Sequence, residues 1–256
     1  MIFKAGDKTN QRFPCDIIRR LPGGTMAELY VARLSGTNHL MVVKGVGKDA
    51  PESFQEALKR EAEILQKIRK ETIPEIYEYL EEPDKQYFIM AYYQGFNLAE
   101  KKVVLSEAHI KQIALSLCGT LSYLYRKEII YGDLKPSNII IAGKQVILVD
   151  YGASIFKKDV PQNICFQGTA GYAAPECLND DGREITYLSD IFGLGATLYS
   201  LLEQKNPRDH FGRFYLSDEQ KKNRWQSVLN KCCALKPEER YQSAVQIYDA
   251  IKKIEL

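Results

Sequence analysis

Six polar residues stand out in chain order: Lys44, Glu61, Asp133, Lys135, Asn138 and Asp150. Their types suit the transfer of a phosphoryl group. That reaction asks little covalent chemistry of a protein. It needs positioned reactants, metal ions on the phosphates and an acceptor for the proton of the attacking hydroxyl. Each need has a candidate among the six. Taken singly they say little: a lone glutamate in a charged run, such as Glu61 in FQEALKREAEIL, is ordinarily a solvated surface residue.

The elements that must hold these residues can be read from periodicity. CDIIRRL, ELYVARL and HLMVVKG are β-like, residues 52–70 are charged and helical, and EIYEYLEE and QYFIMAY are β-like again. A small antiparallel sheet with one helix follows. Near residue 91 the pattern lengthens: Ser106 is placed to cap a helix whose apolar face is Ile110, Ile113, Leu117, Leu121 and Leu124. Two short β-like runs, NIII and QVILVD, come next, then an irregular glycine-containing stretch, then helices to the end. The expected fold class is α+β, with two unequal lobes and a cleft at their junction.

Composition narrows the function classes. The 256 residues are 45% hydrophobic and 27% charged, ordinary for a soluble globular chain. Thirty-five basic against 33 acidic residues leave a net charge of +2, too small to imply a nucleic-acid or membrane surface. Cys15, Cys118, Cys165, Cys177, Cys232 and Cys233 lack CxxC spacing, which argues against a disulfide framework or a zinc site and fits a reducing, cytoplasmic compartment. The N-terminus lacks the apolar run of a signal peptide, and no stretch reaches the roughly 18 apolar residues of a membrane span. The most apolar helical segment, residues 191–202, reads as buried core.

Two phosphate-binding motifs are matched in part and fail on context. Gly45, Gly47 and Ala50 in KGVGKDA fit a dinucleotide fingerprint between a strand and a helix, but the acidic residue required at the end of a second strand is missing: Glu61 and Glu63 lie in the helical run. Gly47 and Lys48 suggest a Walker loop, yet Asp49 replaces the Ser or Thr and Val42 the first glycine.

YGDLKPSN resembles HRDLKPxN, the catalytic loop of protein kinases, with the DxxxxN interval kept by Asp133 and Asn138. Asp150, Tyr151 and Gly152 resemble the DFG motif, and MVVK resembles the VAIK strand. YFIMAYYQGFNL resembles the fifth strand and hinge, GTAGYAAPE the end of the activation segment, and SDIFGLGATLY and KPEERY the motifs that follow it. The resemblance runs from about Cys15 to the C-terminus. Its wording is similar to the bacterial, Hanks-type Ser/Thr protein kinases.

That resemblance implies one bilobal kinase domain over residues 1–256: an N-lobe of residues 1–91, a hinge at 92–93 and a larger, mainly helical C-lobe of residues 94–256. It implies transfer of the γ-phosphate of ATP to Ser or Thr hydroxyls of proteins, autophosphorylation included, with ATP and Mg²⁺, or Mn²⁺, as cofactors. Asp133 would orient the substrate hydroxyl and accept its proton, Lys135 would steady the γ-phosphate, and Asn138 and Asp150 would bind metal. Lys44 would grip the α- and β-phosphates with Glu61 as its helical partner, Glu56 and Glu63 remaining alternatives. Met90 is the gatekeeper, and the backbone of Ala91, Tyr92 and Tyr93 faces adenine. Leu21, Leu29, Val42, Ile140 and Val149 line its faces. Gly24 keeps the middle glycine of a phosphate-covering loop. Thr169 is expected near the catalytic Asp, Asp190 as anchor of the catalytic loop, and Arg240 as partner of Glu176. Protein substrates are the expected partners. No nucleic acid is expected, and the chain is a monomer or a regulatory homodimer, cytoplasmic or the cytoplasmic part of a longer membrane-anchored protein.

Three departures from the family pattern carry consequences. Pro22 and Ala27 stand where the outer glycines of the loop usually are, so backbone approach to phosphate rests on Gly24, with Gly23 as partial substitute. Tyr131 and Gly132 replace His and Arg; without that Arg, activity should not require phosphorylation between Ser154 and Thr169. Tyr131 and Tyr151 remain large aromatics that could join Leu65 and Tyr79 in the column that aligns the lobes. Two rival readings survive: a pseudokinase scaffold, suggested by the eroded loop, and a small-molecule kinase of the aminoglycoside or choline type, echoed by Gly132 before Asp133.

Overall fold

A computed structural model describes residues 1–22, 26–100, 104–160, 168–178, 184–210 and 214–256, with backbone alone at 209 and 210. The chain divides into two units, Met1–Gln94 and Gly95–Leu256.

In the N-terminal unit, alternating apolar residues build strands β1 (Cys15–Arg20), β2 (Glu28–Leu34), β3 (Leu40–Gly47), β4 (Ile76–Glu81) and β5 (Lys85–Ala91). They form one antiparallel sheet in the order β1-β2-β3-β5-β4. Side chains alternate between faces along each strand. One face carries Cys15, Ile17, Tyr30, Ala32, Met41, Val43, Tyr87 and Ile89, and Phe3 of the N-terminal segment closes it. Phe3 meets Tyr30 and Tyr87 edge to face, with ring centroids 5.6 and 5.2 Å away, a geometry that suits the ring quadrupoles. The opposite face receives helix α1 (Glu52–Lys67), which buries Leu58, Glu61, Ala62, Ile64 and Leu65.

Two details differ from the expectation. The helix stops at Lys67 because Ile68 is already extended at φ −122°, ψ 142°. Strand β3 runs on through Gly45 and Gly47, so these glycines serve the sheet and not a loop after it. A Cβ on Gly45 would lie 2.6 Å from that of Tyr87 and 2.8 Å from the carbonyl oxygen of Gln86. Only glycine admits that approach.

The C-terminal unit is mainly helical. It contains α2 (Glu107–Arg126), α3 (Pro175–Leu178), α4 (Tyr187–Glu203), α5 (Glu219–Cys232) and α6 (Ala244–Lys252), with short strands β6 (Phe96–Asn97), β7 (Ile129–Ile130), β8 (Ile139–Ala142), β9 (Gln145–Leu148) and β10 (Ile155–Phe156). Side-chain oxygens of Ser106, Thr186, Asp218 and Ser243 each accept from one amide in the first turns of α2, α4, α5 and α6, satisfying one of the orphan donors at each helix start. Helix α4 is buried on almost every side, as the apolar run at 191–202 predicted. Two strand pairings matter for the chemistry. β8 pairs with β9, and β7 pairs with β10; together they hold residues 131–138 beside residues 149–154. This architecture, a five-stranded antiparallel sheet with one helix followed by a larger helical unit, is the one expected.

Candidate active site

The polar residues fall into one group in each unit. In the N-terminal unit Lys44 sits mid-strand, opposite Leu29 on β2 and Phe88 on β5. Its ammonium is 2.7 Å from Glu61 Oε2, and the two side chains are 8% and 2% exposed. Glu56 and Glu63 are exposed, which selects Glu61 among the three glutamates. A dry pair of this kind gives little net stability, but deleting one partner strands a buried charge at a cost of about 3–5 kcal/mol. Leu29, Val42 and Met90 share the sheet face of Lys44, since Val42 is paired with Met90 and lies two residues from Lys44. Leu21, half-buried, donates its N–H to the Leu29 carbonyl at 2.8 Å. Ala91 donates its N–H to the Glu75 carbonyl at 2.9 Å, and Tyr92 and Tyr93 are half-buried beyond it. Gly23 and Gly24 lie outside the described residues.

In the C-terminal unit Asp133, Lys135 and Thr169 form a closed triangle. Lys135 Nζ is 2.6 Å from Asp133 Oδ2 and donates to Thr169 Oγ1 at 2.7 Å. The Thr169 hydroxyl donates to Asp133 Oδ1 at 2.7 Å. Asn138, buried in the short turn at Pro136–Asn138, donates its amide to the Asp133 carbonyl at 2.9 Å and to Asp133 Oδ2 at 3.3 Å. With its nitrogen so engaged, the amide oxygen is turned away from Asp133. Asp150 joins the group through the backbone: Val149 N–H donates to the Asn138 carbonyl at 2.9 Å. Its φ is +63°, a left-handed conformation uncommon outside glycine, though aspartate adopts it more readily than most residues. Its side chain is exposed. Ile140, half-buried on β8, is paired with Asn97 and Ile147, and Val149 is half-buried.

The loop that carries these groups is pinned from several directions. Asp190, in the first turn of α4, accepts the N–H groups of Tyr131 at 2.8 Å and Gly132 at 2.7 Å. Burial pushes the Asp190 carboxyl up to about 7, against the opposing pull of those two amides. Ser154 Oγ donates to the Tyr131 carbonyl, and Thr197 Oγ1 to that of Leu134. Gly132 has φ +89°, a conformation glycine adopts without penalty. Farther away, Arg240 clasps Glu176 with two nitrogens at 2.6 and 2.8 Å and also donates to the Ala234 and Leu188 carbonyls. Burial alone would raise the Glu176 carboxyl; the guanidinium outweighs it and holds it below the usual range.

One contact was missed by sequence reasoning. The Tyr131 hydroxyl donates to the Val149 carbonyl at 2.6 Å, fixing the peptide that precedes the left-handed Asp150. Its acceptor is a main-chain atom, which no side-chain pattern reveals. The Tyr131 and Tyr151 rings meet edge to face, 5.2 Å apart, in the C-terminal unit. Of the other two members of the expected aromatic column, Leu65 is buried and Tyr79 half-buried in the N-terminal unit.

The donor chemistry could hold a divalent metal beside a nucleotide's phosphates. Small divalent cations prefer hard oxygens in small number, completed by phosphate and water, and the side-chain oxygen of the buried Asn138 with the exposed Asp150 carboxylate could supply donors of that kind. Among the described residues no cluster of three or more His, Cys, Asp or Glu offers a self-contained metal cage.

Comparison with known proteins agrees with this chemistry. A sequence model described as the protein kinase domain matches residues 16–253. Serine/threonine-protein kinase D of a Synechocystis strain is 28% identical over 271 residues, covering 93% of this chain and 52% of that protein. Serine/threonine-protein kinase PknA of a Nostoc strain is 29% identical over 267 residues, 92% of this chain and 46% of its own length. Serine/threonine-protein kinase PknD of Chlamydia muridarum is 28% identical over 233 residues, 75% of this chain and 25% of its own. The chain thus spans about half, or less, of the curated relatives it matches.

Proposed function

The chain belongs to the protein kinase domain family, and from that premise we propose that it transfers the γ-phosphate of ATP to Ser and Thr hydroxyls of proteins, its own included. One observation carries the reading: Asp133 already accepts a hydrogen bond from a hydroxyl, that of Thr169, while Lys135 contacts both groups. A substrate hydroxyl that displaced Thr169 would meet the same carboxylate. Its oxygen would bond to the γ-phosphorus, the bond from phosphorus to the bridging oxygen would break, and the proton would pass to Asp133, a role worth about 10²–10⁴ in rate.

A bound divalent metal, which we take to be Mg²⁺ with Mn²⁺ as a substitute, neutralises charge on the phosphates. Asn138 and Asp150 would hold it. Tyr131, by donating to the Val149 carbonyl, fixes the peptide that precedes Asp150, whose backbone is left-handed, and so would help to orient that carboxylate. Lys44, oriented by Glu61, would pair with the α- and β-phosphates. Leu21, Leu29, Val42, Met90 and Ile140 would contact adenine, with the backbone of Ala91 to Tyr93 and the loop at Gly24. The Ser/Thr assignment is supported by Lys135 and by the names of the relatives. Cys15, Cys118, Cys177, Cys232 and Cys233 are buried free thiols, which supports a cytoplasmic placement. No helix among the described residues is long and apolar enough to cross a membrane.

The test offers γ-labelled ATP and Mg²⁺ to the chain with three acceptor pools: itself, a mixed protein extract, and aminoglycosides with choline. Label on protein Ser or Thr is expected. Label only on the small alcohols would replace the reading with a small-molecule kinase, and thermal stabilisation by nucleotide without transfer would replace it with a pseudokinase.

A further inference from the structure

Thr169 places its hydroxyl on Asp133, so the backbone just beyond it passes the position an acceptor residue must take. Gly171 lies in that backbone with φ +92°, and a Cβ built on it would stand 2.8 Å from Arg208 Cα and 3.0 Å from the Pro207 carbonyl carbon. The turn at 207–208 is therefore packed against this stretch at a distance only glycine permits. The base of Arg208 is also rigid. Pro207 is buried and fixes its own φ, while the Arg208 N–H donates to Asn206 Oδ1 at 3.0 Å.

The Arg208 side chain is exposed, and among the described residues it makes no ion pair and no side-chain hydrogen bond. A nearby acid in the sequence, Glu203, is unavailable to it: its carboxylate is 2% exposed and engaged by Lys205 and Ser217. What remains is a planar cation on a rigid mount, next to the proposed site of the acceptor residue. Guanidinium matches carboxylate and phosphate with two parallel hydrogen bonds.

We propose that Arg208 reads an acidic side chain of the protein substrate, so that acceptor sites with Glu, Asp or a phosphorylated residue nearby are preferred. The proposal rests on the protein-kinase reading above. An extended peptide advances about 3.3–3.6 Å per residue, so a scan of four positions on each side of the acceptor covers the stretch of substrate nearest to it.

The test uses serine peptides identical except for Glu, Gln or Lys scanned across the four positions on each side of the acceptor. At the sensitive position the native chain should favour Glu over Lys in kcat/KM on the order of tenfold. Arg208→Ala should cut that ratio to about threefold or less, and Arg208→Glu should invert it. KM for ATP, the rate on the Gln peptide and the thermal midpoint should stay unchanged. A ratio that neither substitution moves, on peptides that are phosphorylated, overturns this inference alone. Failure to phosphorylate any peptide or protein overturns the kinase reading and the inference with it.

Discussion

Asp133 and Asp190 are aspartates of the same unit in opposite surroundings. Asp133 is partly exposed and engaged by side chains that can move: the ammonium of Lys135, the hydroxyl of Thr169 and the amide of Asn138. Asp190 is buried and accepts two main-chain amides, those of Tyr131 and Gly132. The difference separates a carboxylate able to exchange partners during a reaction from one that fixes the loop on which the first is mounted. Exchangeable contacts allow chemistry, and backbone contacts set geometry.

Substituting both positions gives the sharpest test of this division. Asp133→Asn should lower kcat about a thousandfold and leave the thermal midpoint nearly unchanged. Asp190→Asn keeps one acceptor oxygen but weakens the hold on two amides, and should lower kcat about tenfold with a clear loss of stability. Equal losses of kcat, or a loss of fold at Asp133, would break the comparison.

The pH dependence of stability sharpens it. Unfolded, Asp190 ionises near its ordinary 3.8; folded, burial holds it at about 7. Between these values the folded chain keeps a proton that the unfolded chain has released. The stability this group contributes is fully present below about pH 4 and is lost as pH rises to about 7. The loss should amount to a few kcal/mol, and the Asp190→Asn variant should lack that part of the slope in denaturation series across this range.

A smaller effect is expected at Tyr131→Phe, which removes the hydroxyl from the Val149 carbonyl and relaxes Asp150 without touching Asp133. It should reduce kcat about threefold and raise the Mg²⁺ concentration needed for half-maximal rate by a similar factor. An unchanged metal requirement would detach Tyr131 from the metal site. The smallest effect expected is none: with Gly132 in place of the usual Arg, phosphatase-treated chain should act without a lag and within about twofold of the untreated rate. Activity that returns only after phosphorylation between Ser154 and Thr169 would contradict this.

Much of this organisation could be read in the sequence where a residue's role depends on neighbours in the chain. Strand alternation, the Ser106 cap and the apolar stripe of α2 are local signals, and the structure carries all three. Lys44 and Glu61 could be named because a familiar motif order surrounds them. What stayed hidden depends on main-chain partners and distant approaches. The close approach of Gly45 to Tyr87, which explains why that strand position is glycine, leaves no mark in the sequence. The Tyr131 hydroxyl bonds a carbonyl, and Arg208 gains meaning only from the glycine it packs against, far away in the chain. Asp150 carries in its residue type only a weak sign of its left-handed backbone.

The central claim is tested most directly by following γ-phosphate from labelled ATP and Mg²⁺ onto protein in the native chain and in Asp133→Asn, and then identifying the modified residues. The account predicts phosphoserine and phosphothreonine from the native chain and none above background from the variant, with equal nucleotide-induced thermal stabilisation in both. Transfer by the variant at the native rate would contradict it.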